Sequence, residues 1–444
     1  MTLPSRIETI AAFRSERLNN ERNIYVYLPP DYDRNTDRSY PVLYAHDGQN
    51  VFASAYNGQT WSLHTVTDRL IADGRIEEII IVAVDNAGPG RNSEFAHEGP
   101  FSGKLDYACR GEAYEQFLTE ELKPWIDRTY RTKPDSANTA LMGSSRGGLV
   151  TYHIGFRRPD VFGKLAMISP YFAQYNEADM SHFPIVQLFD AKRPLRLWID
   201  TGGMEGMIVL TAHVRSMAEH FIKLGYRPGD DLMFGYEPLA EHNEDAWGQR
   251  VHAPLLYFFG GAAGKPVSAE LAGDDRAGIT GAGSYVYPIV QYESGLKAVD
   301  LFAEFAISPA DSASVTSSGH IKAAKPGECT IRYQRGGLTA SRTLRIVPEI
   351  SAKAAIDIEV KVPADTPAGA RIYAGVELER RAPQTYGRRF VLPRGTGFSF
   401  SITEFSGLRE AGPGGRDIPK RRFVADRNLT LRYEVESWIR DRHI

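Results

Sequence analysis

The sequence predicts an α/β fold, a mostly parallel sheet with helices on both faces, followed by all-β sandwich modules. Three observations carry this. Over roughly the first 260 residues, short apolar runs of strand type alternate with helix-type runs, the order that builds a parallel sheet covered on both sides. Near Gly260 the composition shifts, and turn-rich β segments take over. Between an apolar run and a helical run lies Gly143-Ser144-Ser145-Arg146-Gly147, the pattern of a sharp strand-to-helix turn.

Taken in order, Asn23–Leu28 alternates with period two, and Pro41–Tyr44 and Ile79–Val84 are β-branched or apolar runs of buried-strand type. Glu112–Tyr130 has helical spacing, with Tyr114, Phe117, Leu118, Leu122 and Trp125 on one face. Asn138–Met142 reads as a strand and Gly148–Arg157 as a helix. Strands follow at Leu165–Ser169, Leu195–Asp200 and Asp231–Tyr236, with helices over Ile208–Leu224 and Asp245–Phe259. The first unit is therefore expected at 1–262, and a linker at 263–284. Gly260-Gly261-Ala262-Ala263-Gly264-Lys265-Pro266 imitates a phosphate loop, but Phe259 stands where its first glycine is required and a proline follows the lysine. Two small sandwiches are expected beyond it, at 285–348 and 349–444.

Composition narrows the function classes. The chain of 444 residues is 42% hydrophobic, 24% charged and 11% aromatic, as in soluble globular proteins, and long enough for two or three domains. A net charge of -3 provides no field to recruit nucleic acid or an anionic membrane. No apolar stretch approaches the roughly 18 residues of a membrane span. Lys420-Arg421-Arg422, the densest basic run, reads as a solvated strand end. The start, Met1–Arg6, lacks an apolar leader core, which predicts a cytoplasmic protein as written, or a secreted or periplasmic one where a leader was removed. Cys109 and Cys329 read as unpaired packing residues, and no cysteine–histidine cluster has metal-ligand spacing. No metal or organic cofactor is expected.

The Gly143–Gly147 motif assigns the nucleophile. Glycines two residues to either side of Ser145 relieve the clashes of a strained turn that projects the hydroxyl over the end of a sheet, and the N–H of Arg146 is left facing a developing oxyanion. A serine needs a base, and the base an orienting carboxylate. His242, in Glu241-His242-Asn243-Glu244-Asp245-Ala246-Trp247 directly after a strand, is the leading base. His153, His213, His220 and His252 fall within helices. Leu197-Trp198-Ile199-Asp200-Thr201-Gly202-Gly203-Met204-Glu205 places two carboxylates at one edge, and position alone does not choose between Asp200 and Glu205. The loop His46-Asp47-Gly48-Gln49-Asn50 offers the Gln49 N–H as the second oxyanion donor. Arg146, Trp61 and Asp47 are the candidate substrate-binding residues.

These phrases, together with Tyr25-Val26-Tyr27-Leu28-Pro29-Pro30-Asp31-Tyr32, Pro41–Gln49 and Arg158-Pro159-Asp160-Val161-Phe162-Gly163, resemble the putative-esterase family of α/β-hydrolases. That family includes enterochelin, feruloyl and acetyl xylan esterases, S-formylglutathione hydrolase and the antigen 85 mycolyltransferases. The resemblance spans most of residues 20–260. It implies Ser145 as nucleophile, His242 as base, Glu205 over Asp200 as acid, and Gln49 and Arg146 as the oxyanion hole. Arg146 departs from the methionine of many relatives, and its guanidinium is expected either to favour acidic substrates or to pair with a nearby carboxylate. Residues 285–348 resemble a bacterial Ig-like module through Ser317–Gly327, and 352–444 a starch-binding-type module through Ile358–Pro363, Phe398–Glu410 and Val435–Trp438. Trp438 reads as core, leaving Tyr386 and Phe405 as candidate sugar platforms.

The expected function is a serine-dependent carboxylic-ester hydrolase acting through an acyl-enzyme on a small-molecule or carbohydrate ester. Acylated carbohydrate, feruloyl or acetyl esters and siderophore esters are the substrate classes. The alternatives are an acyltransferase to a sugar or other alcohol, with the same triad, and a non-catalytic carbohydrate-binding scaffold. No nucleic-acid or membrane partner is expected, and nothing in the sequence indicates an oligomeric state.

Overall fold

In the computed structural model, which describes residues 3–54, 58–176, 181–367 and 369–440, the early apolar runs pair as one sheet. In chain order the strands are β1 (Arg6–Ser15), β2 (Asn20–Leu28), β3 (Val42–His46), β4 (Ile80–Val84), β5 (Thr139–Ser144), β6 (Lys164–Ile168), β7 (Ala173–Tyr175), β8 (His182–Pro184), β9 (Arg196–Met204) and β10 (Leu232–Glu241). The eight-stranded sheet has the order β1-β2-β4-β3-β5-β6-β9-β10, and β7 and β8 form a separate hairpin. The antiparallel pairings, β1 with β2 and β2 with β4, lie towards one edge, and the other five are parallel.

Successive side chains alternate between faces, and here both faces are dry. Val42, Tyr44, Leu141, Leu165, Met167 and Ile199 join one core cluster. Leu43, Ala45, Ala140, Met142, Ala166 and Trp198 join the other. Two-sided burial is why these strands read as unbroken apolar runs. The expected helix over 112–130 is present as Gly111–Gln116, a π turn at Phe117–Leu122, and Lys123–Thr129.

The helix Arg146–Arg157 leaves β5 and is buried from Arg146 to Phe156. Its far end is held by aromatic packing: Phe156 stacks on Phe189 at 5.2 Å and Phe221 at 5.7 Å between ring centroids. The carboxyl ends of β3, β5, β6, β9 and β10 share one edge of the sheet, where ligands bind on folds of this kind.

The tail holds two further β units. In the first, a five-stranded sheet containing Pro266–Gly273 and Ser284–Tyr292 faces a four-stranded sheet containing Arg276–Gly281, Gly327–Arg335 and Leu338–Ile350, over a core of Leu271, Val286, Ile331, Tyr333, Leu344 and Ile346. The linker expected at 263–284 is corrected here: most of it is Pro266–Gly273 and Arg276–Gly281, strands of that unit. They escaped notice because they bury few side chains, chiefly Leu271 and Ala277, and so carry little alternation. In the last unit, sheets built on Lys353–Lys361 and on Ile402–Glu404, with the pair Gly397–Phe400 and Arg421–Val424, enclose Ile356, Ile358, Val360, Ile372, Phe400, Ile402 and Phe423.

Both units dock on the first. From the first tail unit Lys297 reaches Glu237 at 3.0 Å and Tyr287 lies 4.3 Å from Tyr236 between centroids; from the last, Ser399 Oγ donates to Glu241 at 2.8 Å. No helix among the described residues is long and apolar enough to cross a membrane. Truncating Phe156, which fixes the helix behind Ser145, leaves a cavity among four or more rings. Phe156→Ala is expected to lower unfolding free energy by about 3–5 kcal/mol, read as a fall in the urea midpoint at unchanged slope.

Candidate active site

Ser145 stands between β5 and the helix at φ 55° and ψ -122°, backbone angles that side chains avoid. Glycine makes the turn possible. A Cβ on Gly143 would lie 2.6 Å from the Gly147 carbonyl and 2.8 Å from His46 Cδ2. Two backbone bonds then pin the turn: the Ser145 N–H donates to the Ile168 carbonyl at 3.0 Å, and the Tyr171 N–H to the Ser145 carbonyl at 2.9 Å.

The loop after β3 approaches from one side. Gly48 lies so close to β4 that a Cβ would meet Ala83 and Val84 backbone atoms at 2.8 Å. Asp47, at φ 58°, accepts from Arg91 Nε at 2.6 Å, Arg91 Nη2 at 2.8 Å and Asn86 Nδ2 at 2.6 Å. Burial raises its pKa, but Arg91 and Asn86 outweigh that and hold the carboxyl below its ordinary value. Among the described residues, neither the Gln49 nor the Arg146 backbone N–H has an acceptor.

Two expected substrate contacts are corrected. The Asp47 carboxylate is buried and occupied by Arg91 and Asn86, so it fixes the loop. Trp61 is 2% exposed, lies against Trp247 at 5.9 Å and donates its backbone N–H to Asn50 O, so it supports the same loop from within the core. Arg146 is itself buried. Its guanidinium donates to Tyr107 Oη and to Gln174 Oε1 at 2.9 Å, and lies 4.6 Å from the Tyr171 ring centre.

On the other side, the turn after β9 brings Glu205 Oε2 to 2.5 Å from His242 Nδ1. Glu205 Oε1 accepts from the Gly202 N–H at 2.6 Å and from Ser169 Oγ at 2.5 Å. Burial alone would raise the Glu205 pKa, yet the His242 bond and charge, Arg250 and Ser169 together hold it below the ordinary value. Asp200 is differently placed. Its oxygens accept from Arg250 Nε at 3.0 Å and Trp198 Nε1 at 2.8 Å, and burial, only partly offset by Arg250 and Trp198, raises its pKa. Of the two carboxylates, Glu205 is the one on His242.

Asn243 caps the helix Glu244–Arg250 by accepting the Ala246 N–H at 2.9 Å, which fixes the backbone just after His242. Trp247 meets the His242 ring edge-on at 5.0 Å. Among the described residues Ser145 makes no hydrogen bond to His242. Sequence reasoning missed Ser169 and Arg250, which link the two carboxylates; neither carries a local motif. Of the other helical histidines, His153 Nε2 accepts the Gln187 N–H at 3.1 Å, His220 meets Phe189 O, His213 lies against His182 at 4.6 Å between ring centroids, and His252 meets Gln249 O at 3.1 Å. In the tail, Tyr386 is buried, Phe405 is 67% exposed, and the half-buried Trp438 donates to Thr366 Oγ1 at 2.9 Å.

This sheet, turn and carboxylate–imidazole pair define an α/β-hydrolase. The chain matches the family described as Esterase, "Putative esterase", over residues 15–257, more than half its length, and belongs to it. It is 33% identical over 164 residues to an endo-1,4-beta-xylanase/feruloyl esterase of Xylanibacter ruminicola, a match covering 35% of this chain and 20% of that one. An uncharacterized protein, YjcH, of Bacillus subtilis is 29% identical over 161 residues, covering 36% of this chain and 60% of that one. The chain thus spans less than two thirds of either relative. A solved ferulic acid esterase aligns over 58% of this chain and 98% of its own at 21% identity, with a TM-score of 0.45.

His46, whose Nδ1 meets Tyr114 Oη at 2.9 Å, gives this region a pH signature. Burial, against Asp47 and with Arg91, lowers its pKa to about 3. Between that value and the unfolded value of about 6.5 the unfolded chain binds more protons, so stability falls as pH drops through this window, by up to about 1.4 kcal/mol per unit. His46→Gln is expected to flatten urea-unfolding stability between pH 7 and pH 4 relative to the wild type. An unchanged slope would show that His46 is not buried as the neutral base.

Proposed function

We propose that this protein is a serine-dependent carboxylic-ester hydrolase with Ser145 as nucleophile, His242 as base and Glu205 as acid. The observation that carries it is the 2.5 Å contact of Glu205 with His242 Nδ1, at the sheet edge where Ser145 occupies its strained turn. Membership of the esterase family supports the same reading. With Nδ1 held by Glu205, His242 Nε2 takes the Ser145 proton as Oγ attacks the ester carbonyl. The oxyanion forms against the N–H groups of Gln49 and Arg146, each worth about 2.7–4 kcal/mol at such sites. Collapse expels the alcohol, which receives the proton from His242. Water, deprotonated by His242, then attacks the acyl-enzyme, releasing the carboxylic acid and returning the proton to Ser145.

The finer reading is an acyl group carried on carbohydrate, feruloyl before acetyl. The xylanase/feruloyl esterase relative supports it, as do the Tyr107 and Tyr171 rings around Arg146, one residue from Ser145. Turnover of feruloyl arabinose esters is expected to exceed that of acetylated xylose oligomers and of siderophore trilactones. Preference for a trilactone would overturn the carbohydrate reading, and acceleration by added sugar alcohols with transfer products would make the reaction an acyl transfer.

Ser145→Ala is expected to lower kcat on p-nitrophenyl acetate by at least about 10⁴-fold with an unchanged circular dichroism spectrum; wild-type turnover would end the assignment. Glu205→Gln is expected to cost on the order of 10⁴-fold, and Asp200→Asn less. The reverse order would make Asp200 the acid.

A further inference from the structure

We infer that the last β unit is a positioning clamp for the acid and base, with Ser399 and Lys420 as positioning residues for His242 and Gly397 for Glu205. This rests on the triad reading above. The clamp is one antiparallel pair, Gly397–Phe400 with Arg421–Val424, preceded by Lys420.

Its first hold is on the turn that carries Glu205. The Gly206 N–H donates to the Gly397 carbonyl at 2.9 Å. Gly397 comes so close that a Cβ there would lie 2.0 Å from the Gly203 carbonyl oxygen, so backbone meets backbone on both sides of Glu205. The Phe398 ring covers the outer face of Gly206, and Met207 packs on the core of the last unit. The second hold is on the residue before His242. Glu241 Oε1 accepts from Ser399 Oγ at 2.8 Å, and Oε2 from Lys420 Nζ at 2.6 Å and Asn243 Nδ2 at 3.1 Å. Asn243 also caps the next helix, so His242 lies between two residues whose side chains are tied to each other and to the clamp. The basic run at 420–422, expected to be a solvated strand end, is corrected accordingly: Lys420 reaches Glu241, and Arg421 pairs with the buried Glu410.

Energetics point to placement as the role. Lys420 is 45% exposed in this pair, and exposed ion pairs contribute little to stability. A misplacement of about 1 Å at reacting groups can instead cost on the order of 100-fold in rate. Both members of the Glu205–His242 pair lie on turns beyond the regular ladder, and one element of the last unit touches the supports of both.

The test uses the full chain and p-nitrophenyl acetate. Lys420→Met with Ser399→Ala is expected to lower kcat about 10-fold, leave KM within about twofold and the thermal midpoint within about 2 °C, and slow phosphonylation of Ser145 by a fluorophosphonate in proportion. Glu241→Ala should behave alike and add little on top, because it removes the acceptor of both contacts. Lys420→Arg should restore the rate. Lys361→Met, on a solvated pair with Glu434 in the same unit, should leave kcat unchanged. Wild-type kcat in the Lys420, Ser399 and Glu241 variants overturns the clamp. So does an equal loss in Lys361→Met, or a loss of kcat that follows the thermal midpoint. Turnover surviving Ser145→Ala would instead remove the triad reading, whereas its loss there, with normal clamp variants, removes the clamp alone.

Discussion

The turn at Ser145 is the constraint on which the rest of the site depends. Holding a non-glycine residue at φ 55° costs on the order of 1–3 kcal/mol, which the surroundings must offset. The helix that follows is buried from its first residue to Phe156, and two core clusters cover the faces of the sheet. The glycines that permit the turn also set the distance to β3. Gly143 lies against His46, and a Cβ on Gly147 would stand 3.3 Å from Asp47 Oδ2. One local geometry thus shapes the Ser145 turn and brings the His46–Asp47 loop against it.

On the opposite side the organising element is a guanidinium shared by two carboxylates. Arg250 Nε meets Asp200 at 3.0 Å, and its Nη2 meets Glu205 at 3.4 Å and the Ser169 hydroxyl. Two buried carboxylates this near would raise each other's pKa. Their environments divide them: burial, only partly offset by Arg250 and Trp198, raises the Asp200 pKa, while His242, Arg250 and Ser169 outweigh burial at Glu205 and hold its carboxyl below the ordinary value. The carboxyl held below its ordinary value is the one on His242, and Asp200 meets Arg250 and Trp198 instead.

Much of this was legible in the sequence because it is local. The parallel strands announce themselves by two-sided burial, and the turn by glycines at fixed spacing around Ser145. His242 followed from its place after a strand. Choosing Glu205 over Asp200 needed the family resemblance, since both follow the same strand. In the structure it is Glu205 that meets His242, while its other carboxylate oxygen accepts the Gly202 N–H. Arg250 and Ser169 were illegible because their partners are 50 and 31 positions away from them at Asp200. Lys420 was misread for the same reason, its partner Glu241 lying 179 positions earlier. Trp61 and Asp47 failed as substrate contacts because proximity to a motif does not say which way a side chain faces.

The sheet also explains why its last two strands need outside help. β10 pairs regularly with β9 as far as Glu237 with Gly202, then slips, so that Glu241 meets Met204. A slip of this kind bends the strand and re-aims its side chains, which brings His242 towards Glu205. It also ends the ladder where both residues must be held. Beyond that point the backbone is carried by turns, and turns open more readily than paired strands. Close packing against Gly397, with the Glu241 carboxylate tied to Ser399, Lys420 and Asn243, supplies the rigidity that the ladder no longer gives. The bend that assembles the pair and the unit that steadies it are two parts of one solution.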